Sequence, residues 1–157
     1  MLDNQGYLKL KADDDNDLKV FAAYLQDSLT VSDDIRYLEK NKTFICIFNR
    51  FMWEDAEKGI FRDNKRIRSA FKINDAKSVK SKNISKKENK VLEFLTINIE
   101  PSENKNININ LLFSGNMTIS VNVEAINATL EDFSDSWKTK IKPVHKPVSY
   151  THLRAHE

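Results

Sequence analysis

The chain has 157 residues, with 25 Lys and Arg against 23 Asp and Glu and a formal net charge of +2. That length suits one domain with a core of its own, and the charge is too small a bias to imply nucleic acid or an anionic membrane by itself. The lone Cys46 excludes an intrachain disulfide, and no apolar run approaches the ~18–20 residues that span a bilayer.

Tyr7 to Ala12 alternates and predicts a short first strand. The acidic run Asp13, Asp14, Asp15 and Asp17 follows, and such residues cap helix N-termini and suit the positive end of the dipole. Leu18, Phe21, Ala22, Leu25 and Leu29 recur at helical spacing, which predicts a helix over about residues 15–28. Strand patterns dominate from there. Ile35 and Tyr37 alternate, and Lys40-Asn41-Lys42 reads as a turn. Thr43 to Trp53 is apolar on both faces, the pattern of a strand buried on both sides or most of the way along. Cys46 sits inside this run as a small core residue, which favours a reducing compartment.

Residues 54–65 form a polar connection. Arg66 to Ile73 alternates, with Ile67, Ser69, Phe71 and Ile73 opposite Arg66, Arg68, Ala70 and Lys72, so one wet face is expected. The basic segment Lys77 to Lys90 begins as strand, anchored by Val79, and continues as loop. Val91 to Glu100 is a long strand. Asn106 to Phe113 alternates Asn with Ile or Leu, Ser114-Gly115-Asn116 signals a hairpin, and Met117 to Val123 alternates again. Residues 125–133 fit both a helical stripe and a strand. The order predicts an α+β fold: one N-terminal helix with a curved, mainly antiparallel sheet of six to eight strands, as a roll, split barrel or pleckstrin-homology-like architecture. Two four-strand groups, 34–84 and 91–132, are suggested. The expected interior includes Phe44, Ile47, Leu95, Ile109 and Val121.

Several short segments together resemble an alphaproteobacterial family known as domain of unknown function 2948. They are Leu25-Gln26-Asp27, Asn49-Arg50-Phe51-Met52-Trp53-Glu54, Phe113-Ser114-Gly115 and Val123-Glu124. Leu130, Asp132 and Phe133, then Ser136-Trp137-Lys138-Thr139-Lys140 and Lys142-Pro143-Val144-His145, extend the likeness over about residues 8–145. The chain departs from the family pattern in carrying Lys for Arg near its end and Ser114-Gly115-Asn116 where glycines are usual. The family carries no assigned activity, so the resemblance implies a fold grouping and no mechanism. Residues 148–157, VSYTHLRAHE, resemble one translated reading frame of a sequencing-library adapter. Residues 1–146 are therefore expected to form one domain, with 147–157 a non-native or disordered tail that takes His152 and His156 out of the argument.

Arg50, Trp53 and Glu54 form the most distinctive polar-aromatic group. Arg50 reads as a carboxylate or anion clamp at a strand end, or as half of an Arg–Glu pair beside a core Trp53. Arg62, Arg66 and Arg68 lie close in sequence, and Arg66 and Arg68, ~7 Å apart along a strand, could grip a phosphate or acidic partner, or be ordinary solvated charge. Lys77 to Lys90 holds six lysines against Glu88 but no aromatics to stack bases, and charge runs are usually solvated. His145 is the one credible histidine, with Asp132 and Asp135 as carboxylates available in sequence, but the favoured reading is a mobile surface residue near the end of the chain. No metal-ligand spacing, Gly-rich phosphate loop or G-x-S-x-G elbow is present, so no catalytic residue, metal or cofactor is expected.

The leading expectation is a non-catalytic cytoplasmic module that binds an unknown protein partner, with no membrane association. The acidic start of the chain, without an apolar h-region, does not read as a signal peptide. An anion- or nucleic-acid-binding module using a basic face is the alternative. A hydrolase using His145 with Asp132 is the third.

Overall fold

The computed structural model describes residues 7–52, 65–85, 88–133 and 137–138. Trp53, Glu54, Arg62, Asp135, His145 and the adapter-like tail lie outside the described residues. The elements are β1 (Lys9–Ala12), α1 (Asp15–Tyr24), β2 (Leu29–Val31), β3 (Ile35–Leu38), β4 (Thr43–Phe51), β5 (Lys65–Ile73), β6 (Ala76–Lys82), β7 (Val91–Pro101), β8 (Ile107–Phe113), β9 (Met117–Val123), β10 (Ala128–Asp132) and β11 (Trp137–Lys138). One helix and an antiparallel sheet are thus present as expected, but the strands number eleven among the described residues rather than six to eight. The excess comes from short pieces: β2 has three residues, β11 has two, and the ambiguous 125–133 region contributes β10.

Helix α1 starts where the acidic run places it. Asp14 is the cap, its Oδ1 accepting from the Asp17 amide at 2.8 Å, while Asp17 Oδ2 accepts from the Asp13 amide at 2.9 Å. The Asp14 bond satisfies one of the amides that a helix start leaves without a partner, and Asp17 reaches back to the amide just before the cap. The helix ends at Tyr24, earlier than expected, because Leu25 leaves helical geometry at ψ 0 and Asp27, at φ 59, turns the chain into β2. Leu18, Phe21 and Leu25 are buried, and Phe21 meets Phe71 edge-on at 5.8 Å between centroids.

The sheet runs β1-β10-β5-β4-β2-β7-β8-β9-β6, with β3 beside β4 and β11 beside β5. Two half-sheets result, and they do not follow the sequence groups 34–84 and 91–132. β6 leaves the first group to pair with β9, and β10 returns from the second to pair with β5. The cause is a corner. β5 runs almost directly into β6 through Asn74 and Asp75, and Asp75 takes φ 55. The corner is held by the Asn74 amide donating to the Asn127 carbonyl at 2.8 Å and the Ala76 amide to the Lys42 carbonyl at 2.7 Å. On the opposite side β7 joins the halves, pairing first with β2 and then with β8.

The interior lies between the halves. Phe44, Cys46 and Phe48 of β4 share it with Phe71 and Ile73 of β5, and Phe94, Ile109, Leu111, Phe113, Ile119 and Val121 complete it from the other half. Phe48 packs on Phe94 at 5.5 Å and on Phe113 at 6.3 Å. Cys46 is fully buried, and desolvation pushes its thiol pKa up, as for an inert core thiol. Ile47 is half-buried on the other face of β4. Leu95 is 46% exposed, against expectation. The register shifts between Phe94 and Thr96, so Leu95 occupies a bulge and loses its place in the alternation. The Ser114-Gly115-Asn116 turn does join β8 to β9, with Gly115 at φ 79 and Asn116 at φ 60.

Phe48→Ala is expected to cost about 3–5 kcal/mol in urea unfolding, whereas Leu95→Ala should cost under about 1 kcal/mol. Equal costs would contradict the bulge.

Candidate functional site

Register decides which side chains share a face. Phe44, Cys46, Phe48 and Arg50 of β4 lie opposite Ile73, Phe71, Ser69 and Ile67 of β5, all on the inner face. Ile45, Ile47, Asn49 and Phe51 lie with Lys72, Ala70, Arg68 and Arg66 on the outer face. The arginines therefore do not form one surface, since β4 and β5 themselves stand between Arg50 and the Arg66/Arg68 pair.

Arg50 is fully buried at the end of the inner row. Its Nη2 donates to Asp132 Oδ2 at 2.9 Å and its Nε to Asp132 Oδ1 at 3.2 Å, a two-pronged grip that needs a planar guanidinium. Ser69 Oγ donates to the same carboxylate, and the Leu8 amide donates to Oδ2 at 2.8 Å. Tyr24 of α1 stacks under the guanidinium at 5.7 Å. The first helix, β4, β5, β10 and the start of the chain thus meet on one ion pair. Asp132, the carboxylate paired with His145 in the hydrolase expectation, is committed to Arg50, Ser69 and Leu8.

Arg66 was expected on a wet face and is instead 1% exposed. Alternation says which residues share a face, not whether that face is covered. Arg66 Nη1 donates to the Asn49 carbonyl at 3.0 Å, and its guanidinium lies 5.9 Å from the Phe51 ring. Glu93 belongs to the same outer region, because it pairs across Leu29 and Leu29 across Asn49, and a second buried acid, Asp27, is close enough to act on it. Glu93 Oε1 has no hydrogen-bond partner among the described residues. Burial, and then the Asp27 carboxylate, push the Glu93 pKa up from 4.5 to about 7, with Arg66 pulling the other way. Arg68 remains partly exposed, 3.5 Å from Asp34 and 5.8 Å from the Phe133 ring.

An opening into the interior lies elsewhere, where the half-sheets part. Among the described residues β3 pairs only with β4, and β6 only with β9. Between them is a cleft of about 290 Å³ walled by Ile35, Tyr37, Phe44, Val79, Ile84 and Ile119, with Ser32, Arg36 and Ser81 supplying a polar share of the lining. Tyr37 closes one end by donating its hydroxyl to the Ala76 carbonyl at 2.6 Å. A smaller hollow, about 50 Å³, continues past Ser32 and Ile84 toward Lys90 and Met117. Asn89 holds that side, its Oδ1 accepting from Ser32 Oγ at 3.2 Å and from the Asp33 amide at 3.1 Å. Of the described residues singled out from sequence as candidate sites, only the Lys77–Lys90 segment reaches this cleft. Tyr37 and Val79 were read only as strand positions, and nothing local marks them as neighbours.

Among the described residues no cluster of three His, Cys, Asp or Glu side chains is placed to hold a metal ion, and no helix is long and apolar enough to cross a membrane. A protein-family model described as "Protein of unknown function (DUF2948)" matches residues 8–145. Comparisons with curated proteins and with solved structures gave no match.

Removing one partner of the buried ion pair leaves the other uncompensated, so Arg50→Met or Asp132→Leu alone should cost about 3–5 kcal/mol. The double variant should cost clearly less than the two single costs added. Additive costs in urea unfolding would show that the two side chains do not interact. Glu93 makes a pH-dependent contribution of opposite sign to an ordinary surface acid. Its folded pKa lies above its unfolded value, so between about pH 4.5 and 7 the folded chain holds the extra proton and stability falls as pH rises. Glu93→Gln should therefore remove roughly 1–2 kcal/mol of that decline, allowing for solvent screening. Identical pH slopes for the variant and the parent chain between pH 5 and 8 would contradict the assignment.

Proposed function

The chain belongs to the DUF2948 family, whose description assigns no activity, and we propose that its fold serves as a non-catalytic cytoplasmic module that binds a protein partner at the cleft between β3 and β6. The carrying observation is the cleft itself. It combines a partly apolar lining that reaches the core with two strand edges that, among the described residues, are paired on one side only. A volume of about 290 Å³ suits a few inserted side chains, near the small end of ligand pockets, which run from ~300 Å³. The buried arginines support this reading indirectly. Arg50 is occupied by Asp132 and Arg66 by the Asn49 carbonyl, so the most conspicuous cations serve the fold.

The exposed Lys80 and Lys82 favour a second reading, an anion- or nucleic-acid-binding module based on the Lys77–Lys90 segment. Such binding weakens steeply with salt. A gel shift at low salt that disappears by 200 mM would support it, and no shift at 20 mM would remove it.

The cleft is tested by a photo-crosslinking amino acid placed at Ser81 of the full chain in its native cells, with Lys11 as a control position on β1. Crosslinking of a discrete partner at 81 but not at 11 is expected. Equal products at both positions, or none at 81, would contradict the cleft as the binding surface.

A further inference from the structure

We propose that the partner enters this cleft as an extended acidic segment, adding as a strand to the free edge of β6 with alternate apolar side chains buried against Tyr37, Val79 and Ile84. The proposal rests on the cleft being the binding surface and adds the chemistry of the ligand. Three observations carry it.

The first is the edge. β6 is seven residues long and paired with β9 on one side. Only its first residue has a backbone bond on the other side, from the Ala76 amide to the Lys42 carbonyl. Beyond that point, among the described residues, Lys77 to Lys82 present unmatched donors and acceptors. Such a row is a template for another strand.

The second is facing. Val79 and Ser81 lie opposite Val121 and Ile119, whose side chains are in the core, so they take the cleft side of β6, Val79 half-buried against the core and Ser81 exposed at the cleft mouth. On β3, Ile35 and Tyr37 lie opposite Cys46 and Phe44 and point inward too. Lys80 and Lys82, opposite Ser120 and Thr118, and Arg36, opposite Ile45, point outward. A strand lying between these edges must alternate in the same way. One set of its side chains meets apolar walls and the other meets cations.

The third is charge. Lys77 is neutralised by Glu124 at 2.8 Å and Lys90 by Glu88 at 2.8 Å. Lys80, Lys82 and Arg36 are exposed and make no ion pair among the described residues. Three unneutralised cations along the rim repel the same edge of a second copy and attract carboxylates. The lysines that discourage self-pairing thus select an acidic strand.

The test uses the full chain and a ten-residue synthetic peptide alternating Glu with Val. Controls are the Lys–Val analogue, a block peptide of the same Glu and Val composition, and the alternating peptide N-methylated at every second residue. Binding is followed by amide chemical shifts. The alternating acidic peptide should shift residues 35–37 and 78–84. The block, Lys–Val and N-methylated peptides should each bind at least tenfold more weakly. Lys80→Glu with Lys82→Glu, on solvent-facing positions that leave the core intact, should weaken the acidic peptide at least tenfold and strengthen the Lys–Val peptide. Equal affinity for the block or N-methylated peptide, indifference to charge reversal, shifts centred outside the cleft, or no binding at millimolar peptide would each overturn the proposal. Crosslinking at Ser81 that persists while every peptide fails would sink strand addition alone. Loss of that crosslinking would sink the cleft as well.

Discussion

The chain passes from one half-sheet to the other through a two-residue corner, Asn74 and Asp75, and the backbone geometry there shapes the rest. A strand cannot bend this sharply while keeping ladder bonds on both sides. Asp75 adopts a left-handed conformation, and neighbouring carbonyls of Asn127 and Lys42 take up the amides on either side. Once β6 has turned away from β4, β3 has no partner on its outer side among the described residues. The cleft is thus a consequence of topology, with Tyr37 bridging the gap at its narrow end. In this fold the same geometry that builds the interior also leaves an opening to it.

Polar residues are concentrated at the opposite end of β4. Arg50 and Asp132 bind on the inner face, and Arg66, Asp27 and Glu93 are buried on the outer one. Burying these groups is costly unless partners are supplied, so each must be read as a set. The inner set ties α1, β4, β5, β10 and the approach to β1 together through one carboxylate. That explains why Leu25-Gln26-Asp27, Asn49-Arg50-Phe51 and Leu130-Asp132-Phe133, separate in sequence, end up at neighbouring positions: Tyr24 and Asp27 flank the first helix end, and Arg50 joins Asp132. These three of the segments that carry the family resemblance hold this end of the fold. The described lining of the cleft comes from other residues.

Much of the element order was legible because it depends on local pattern. Alternation located β4 through β9 to within a few residues, and the acidic run located the start of α1. The failures are non-local. Leu95 looks like a core position until the bulge beside Phe94 removes it from the alternation. Arg66 looks exposed because nothing in its own strand reveals that the outer face is covered there. β2 is three residues following a left-handed Asp27, too short for any periodicity to register. The exchange of β6 and β10 between half-sheets depends on which way the corner turns. Tyr37 and Ala76, whose hydrogen bond closes the cleft, are 39 residues apart and meet only through that curvature.

Amide hydrogen exchange along β6 is the most direct measure of the open seam. Amides of Lys77–Lys82 that face β9 should be protected, while the alternate amides facing β3 should exchange orders of magnitude faster than any in β4 or β8. Uniform protection along β6, equal to that of β8, would mean the edge is already paired, and both the cleft and the binding role assigned to it would fall.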